Sequence, residues 1–237
     1  MSNKRGTRKP TADGWQKAVE QVQKQEKPTA EIIVSAKTPG QKAYIQEIQN
    51  NDIVLCIGPA GSGKTIIAVG MALQMLFEGK YNKIVIMRPA VEACGEKIGF
   101  LPGSKEEKVS NFVAPVFDNM EAFLSKSMIR DLVSQDKIEI VPLGFDRGRT
   151  FNKAFVIVDE GSNLTVQQTL LVLTRIGFNS KMVINGDLMQ SDLSEQNGLE
   201  DAIKRLDGLP KVGFVKLETT DIVRHPLIAE IIKRYIG

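Results

Sequence analysis

The most specific chemistry in the chain lies in Gly58-Pro59-Ala60-Gly61-Ser62-Gly63-Lys64-Thr65. These residues match G-x-x-x-x-G-K-[ST] and sit between an apolar run, Ile53–Ile57, and a helix-period run opening after Thr65. The glycines let backbone N–H groups turn around a polyphosphate, and the helix N-terminus adds its positive end. Lys64 then reaches the β- and γ-phosphates, and Thr65 offers its hydroxyl to Mg²⁺. A Gly-rich turn that binds nothing is the alternative, disfavoured because all the required residues stand in the required context. Such a loop needs a carboxylate at a second strand end. Phe155-Val156-Ile157-Val158-Asp159-Glu160 supplies one, 95 residues after Lys64. Asp159 holds the Mg²⁺ shell, directly or through water, and Glu160 activates the attacking water as general base. A third element, Asn185-Gly186-Asp187-Leu188-Met189-Gln190, follows another apolar run. Its Gly-Asp-x-x-Gln pattern sets the Gln190 amide near a γ-phosphate, although Asp187 and Gln190 are equally ordinary turn formers.

These residues require strands to end where they begin. Apolar runs occur at Ile53–Ile57, Ile84–Met87, Ile138–Val141, Phe155–Val158, Met182–Ile184 and Val212–Leu217. Helix-period segments at Thr65–Phe77, Thr165–Arg175, Gly198–Leu206 and Pro226–Tyr235 separate most of them or follow the last. Strands alternating with helices predict an α/β fold, a mostly parallel sheet with helices on both faces. Phe100–Gln135, with Pro102, Gly103 and Pro115, reads as an irregular insertion containing a helix or two. Residues 1–37 are polar and read as a largely flexible basic arm with one short helix, ahead of a domain spanning 38–237.

Composition narrows the function. Of 237 residues, 42% are hydrophobic and 25% charged, ordinary for a soluble globular protein. The longest nearly apolar run is too short to span a membrane, and no secretory signal opens the chain, so a cytoplasmic protein is expected. Two cysteines and one histidine, His225, cannot assemble a usual zinc site. The net charge is +3, with +4 in residues 1–37 and −1 in the rest, so only the arm is a basic candidate for gripping phosphates. A guanine-reading N-K-x-D is absent, since Asn152-Lys153-Ala154-Phe155 lacks the acid. Small-molecule kinases generally lack an acid after the metal Asp, so Glu160 favours ATP hydrolysis.

Together these elements resemble superfamily 1 helicase motifs, and the fuller set resembles the PhoH family of P-loop ATPases. The resemblance runs from about Thr38 to Tyr235. It rests on Pro39-Gly40-Gln41, Ile57-Gly58-Pro59-Ala60-Gly61, Arg88-Pro89-Ala90 and Gly95-Glu96-Lys97-Ile98-Gly99-Phe100-Leu101-Pro102-Gly103. Pro142-Leu143-Gly144-Phe145-Asp146-Arg147-Gly148-Arg149-Thr150, Leu173-Thr174-Arg175-Ile176-Gly177 and Val223-Arg224-His225 continue it. The resemblance implies a RecA-like core with strand order 5-1-4-3-2, ATP and Mg²⁺ as ligands, and single-stranded nucleic acid, RNA favoured over DNA, as partner. It places Gln41 where a helicase Q-motif pairs with the adenine edge. Family members usually follow the acidic pair with Ala-Gln-Asn; here Gly161-Ser162-Asn163 follows, a departure touching the link between hydrolysis and nucleic acid. Some relatives carry a PIN nuclease domain upstream, which 37 polar residues cannot hold, so a stand-alone ATPase domain is expected.

Superfamily 1 helicases pair two RecA-like domains in one chain, and about 200 residues suffice for one. A homo-oligomer, a hexameric ring by expectation, would supply the second surface. Arg224 is then the arginine acting across the boundary, with Arg175 and Arg88 in reserve. Phe100, Phe145 and Phe151 are base-stacking or core residues, and Arg147 and Arg149 are phosphate contacts or surface ion pairs. His225 reads as a structural or capping residue. The competing function is an ATP-dependent switch or scaffold that hydrolyses slowly and moves no strand.

Overall fold

The computed structural model describes residues 31–89, 114–143, 148–191, 197–223 and 234. The six apolar runs are strands within one or two residues of expectation: β1 (Ile53–Ile57), β2 (Lys83–Arg88), β3 (Ile138–Pro142), β4 (Ala154–Val158), β5 (Lys181–Gly186) and β6 (Val212–Lys216). All pair in parallel, in the order β3-β2-β4-β5-β1-β6. Parallel strands covered on both faces are apolar throughout rather than alternating. Accordingly every residue of β4 and β5 is buried. With β3 set aside as an added edge strand and the other five renumbered along the chain, the order from the β6 edge is 5-1-4-3-2. This is the RecA-like P-loop arrangement.

Five helices are bounded within the described residues: α1 (Pro39–Asn50), α2 (Lys64–Phe77), α3 (Lys126–Ser134), α4 (Val166–Leu173) and α5 (Gly198–Leu206). Residues 114–121 are also helical, so the described part of the expected insertion contains two helical segments. Leu55, Val85, Met87, Val156, Val158, Met182 and Ile184 point to one face of the sheet, where Val172 of α4 and Leu199 and Ala202 of α5 cover them. On the other face α2 packs against β2, β4 and β5, while α1 lies beside α2 and reaches β1 and β6.

Helix α1 has no counterpart among the expected segments, yet its start is written locally. The Thr38 hydroxyl accepts the Gln41 N–H at 3.1 Å and Pro39 occupies the first turn, where its missing N–H costs nothing. Thr38 also donates to Asp221 Oδ1 at 2.5 Å, tying the helix start to a 3₁₀ turn at Thr219–Asp221. That anchor fixes Gln41, Tyr44 and Ile48 on the buried side.

Candidate functional site

Parallel strands deliver their carboxyl ends to one edge of the sheet, and the chemistry-bearing residues gather there. The loop 58–63 follows β1, Arg88 ends β2, Asp159 and Glu160 follow β4, and Asn185–Gln190 close β5. Gly61 (φ 83°) and Gly63 (φ 93°) turn the loop through the left-handed region that favours glycine. Ser62 is fully buried and braces the loop, its hydroxyl donating to Pro59 O at 2.8 Å.

Lys64 folds back over the loop and donates to Gly58 O at 2.6 Å and Pro59 O at 2.9 Å. Burial pushes its ammonium pKa down, opposed by Asp187, Asp159 and Glu160 among the neighbouring acidic groups. The Thr65 hydroxyl donates to Asp159 Oδ1 at 2.8 Å, so the two expected metal-side oxygens meet across 94 residues of sequence. Arg88 links the acidic pair, with Nε 3.6 Å from Asp159 Oδ2 and a guanidinium nitrogen 3.6 Å from Glu160 Oε1. Glu160 takes a left-handed backbone (φ 59°) at the start of a 3₁₀ turn, Gly161–Asn163. Burial pushes its carboxyl pKa up and Asp159 adds to this, while Arg88 and Lys64 pull it down.

A cavity of about 160 Å³ lies between these groups, with Gln190 and Asp187 on its far wall. The donor set fits Mg²⁺, which favours hard oxygens and takes one or two carboxylates together with phosphate and water. Among the described residues no cluster of three or more His, Cys, Asp or Glu forms an all-protein metal cage.

Beside the phosphate loop a second cavity, of about 550 Å³, is walled by Ile33, Gln41, Gly61, Ile67, Phe123 and Val223 among others. Gln41 borders it but is buried and engaged: Nε2 donates to Ser62 O at 3.0 Å and Oε1 accepts the Lys37 N–H at 2.8 Å. Its amide therefore braces the phosphate loop from α1, in addition to any contact with a base.

Gly58, Pro59, Ala60, Gly61, Ser62, Gly63, Lys64, Thr65, Asp159, Glu160 and Gln190 are all brought together. Arg88, held in reserve as a residue for a neighbouring subunit, instead lies against the acids of its own chain. Arg175 donates to Arg149 O at 3.2 Å, away from the loop. Arg149 forms a two-pronged pair with Glu139, at 2.7 and 2.9 Å, and stacks 5.0 Å above the Phe151 ring. Phe151 itself is buried core. Arg224, His225, Arg147, Phe100 and Phe145 lie outside the described residues. Val223 donates its N–H to Gly61 O at 3.1 Å. Sequence reasoning missed Arg88 as a partner of the acids, although its place directly after the apolar run of β2 was a usable signal.

The sequence model of the PhoH-like protein family matches residues 33–236, nearly the whole described domain. The chain belongs to the PhoH-like family. A PhoH-like protein of Synechocystis is 46% identical over 205 residues, 86% of this chain and 62% of that protein. A PhoH-like protein of Bacillus subtilis is 45% identical over 204 residues, 85% of this chain and 64% of that protein. The chain thus spans less than two thirds of either relative. Among solved structures, the large terminase of a thermophilic bacteriophage superposes with a TM-score of 0.51 over 83% of this chain and 50% of that one, at 12% identity. At that identity the likeness concerns the fold, a P-loop NTPase core. No helix among the described residues is long and apolar enough to cross a membrane.

Proposed function

We propose that this PhoH-like protein binds ATP with Mg²⁺, hydrolyses it, and couples turnover to single-stranded nucleic acid, with RNA the first candidate. The observation that carries the reading is the 2.8 Å hydrogen bond between Thr65 and Asp159, with Lys64 and Glu160 around the same cavity. The loop amides and Lys64 bind the polyphosphate, Lys64 exchanging its loop carbonyls for phosphoryl oxygens. Mg²⁺, when bound to Thr65 and Asp159, neutralises charge on the phosphates. Glu160 takes the proton of the attacking water, and its raised proton affinity suits that role. Gln190, exposed beside the cavity, couples the phosphate to the following loop. The base occupies the larger cavity, where Gln41 holds the loop in shape.

A cytoplasmic homo-oligomeric ring, with Arg224 acting across the boundary, completes the reading. The test is ATP turnover by the purified chain with and without single-stranded RNA and DNA. Stimulation by either polymer, larger for RNA, supports it. Turnover that neither polymer changes favours the switch or scaffold reading instead.

A further inference from the structure

Asn185 is a polar residue in an otherwise apolar strand, and burying its carboxamide is unfavourable unless its polar atoms are bonded. It follows Met182, Val183 and Ile184 in β5 and stands in register with Cys56 of β1, two residues before the phosphate loop. It is 1% exposed. One end of its carboxamide is fixed: the Tyr44 hydroxyl of α1 donates to Oδ1 at 2.5 Å, and the Cys56 thiol shares a hydrogen bond with that hydroxyl. Tyr44 is fully buried, so the carboxamide is pinned by a rigid group. The other end, Nδ2, has no hydrogen-bond partner among the described residues.

Asn185 lines the same small cavity as Lys64, Asp159, Glu160 and Gln190. The other donors there are engaged, Lys64 with loop carbonyls and Thr65 with Asp159. Three carboxylates, Asp159, Glu160 and Asp187, border the cavity, yet none accepts from Nδ2. A buried donor without an acceptor is destabilising, and an incoming acceptor recovers that loss. The acceptor this cavity selects, through Lys64, is a phosphoryl oxygen.

We propose that Asn185 is a sensor of the terminal phosphate: Nδ2 donates to the γ-phosphoryl oxygen of a bound nucleoside triphosphate, while Tyr44 holds Oδ1 so that only Nδ2 can face it. The proposal rests on the ATPase reading above and adds a discriminating residue to it. The terminal phosphate is the match because Asn185 shares the cavity with Glu160 and Gln190, whereas loop amides serve the inner phosphates. Through Tyr44 the contact reaches α1, the helix whose Gln41 braces the loop, so triphosphate and diphosphate states differ in what α1 feels.

The test compares the affinities of ADP and of a non-hydrolysable ATP analogue, both with Mg²⁺, by displacement of a fluorescent nucleotide. Asn185→Ala is expected to weaken the triphosphate analogue about tenfold, the loss of one hydrogen bond to a charged group, while leaving ADP within about twofold. Tyr44→Phe keeps the ring and frees the carboxamide, and is expected to lower the triphosphate preference about threefold even if Asn185→Ala folds poorly. A wild-type triphosphate-to-diphosphate ratio in both variants overturns the sensor and leaves the ATPase reading intact. Wild-type protein that binds neither nucleotide overturns the ATPase reading and the sensor with it.

Discussion

Glu160 carries turnover in this account, and the charges around it set the pH at which it works. Burial and the adjacent Asp159 raise its proton affinity, and Arg88, 3.6 Å away, opposes them. A general base acts only when deprotonated, so the acid limb of kcat should lie above the ordinary glutamate range. Arg88→Ala removes a charge that favours the carboxylate and should move that limb to higher pH by about one unit, read from the pH–rate profile. An unmoved limb would detach Arg88 from the base. Lys64, Thr65, Asp159 and Glu160 were legible as residues because four apolar positions ending in two acids, together with a phosphate-loop pattern, admit few other uses. The Arg88 link was not, since a sequence records no distance between strand ends 71 residues apart.

Among the elements, the turn after β4 shows how this chain accommodates its departure from the usual Ala-Gln-Asn. A Cβ on Gly161 would stand 2.6 Å from Ile184 Cγ2 and 3.0 Å from Asn185 O. Ser162 is fully buried, and its carbonyl accepts from Ser191 Oγ at 2.9 Å and Asn197 Nδ2 at 2.7 Å. Gly161→Ala is therefore expected to destabilise the fold by about 1–3 kcal/mol through overpacking, measured by denaturant unfolding. Unchanged stability would mean β5 yields freely at Asn185. At the opposite edge, Arg149 and Lys83 hold Glu139 and lower its carboxyl pKa to about 2. A depressed pKa contributes stability above the unfolded value, near 4.5, that is lost as pH falls through about 2. Glu139→Gln should remove that part of the acid dependence, worth about 1 kcal/mol or less for so accessible a group, with little change in the ATP site. An acid-unfolding curve identical to wild type would contradict the assignment. Strands and α2, α4 and α5 were readable because apolar periodicity dominates them. Helix α1 was not, because its buried side is only Gln41, Tyr44 and Ile48, and its definition comes from the Thr38 cap and the distant Asp221.

For the whole molecule, one RecA-like core offers one nucleotide-binding surface. The second surface found in two-domain helicases has to come from another copy if the ring proposal holds. An arginine across a subunit boundary can raise turnover by about 10³-fold or more. Lys64→Ala lacks nucleotide affinity and Arg224→Ala lacks the arginine, so mixtures of the two are expected to recover part of the ATPase activity neither has alone. No recovery despite subunit exchange would assign Arg224 to its own chain, whose Val223 already bonds the loop at Gly61. A fully active monomer would contradict the ring itself.

The claim on which the rest depends is that Glu160 activates water beside a phosphate loop that binds ATP. Its most direct test is γ-phosphate release in a single turnover by wild type and Glu160→Gln, with ATP binding measured on the same samples. The account predicts that Glu160→Gln keeps ATP affinity within a few-fold and slows release by about 10²-fold or more, the span of a positioned general base. Release at the wild-type rate from a variant saturated with ATP would contradict it.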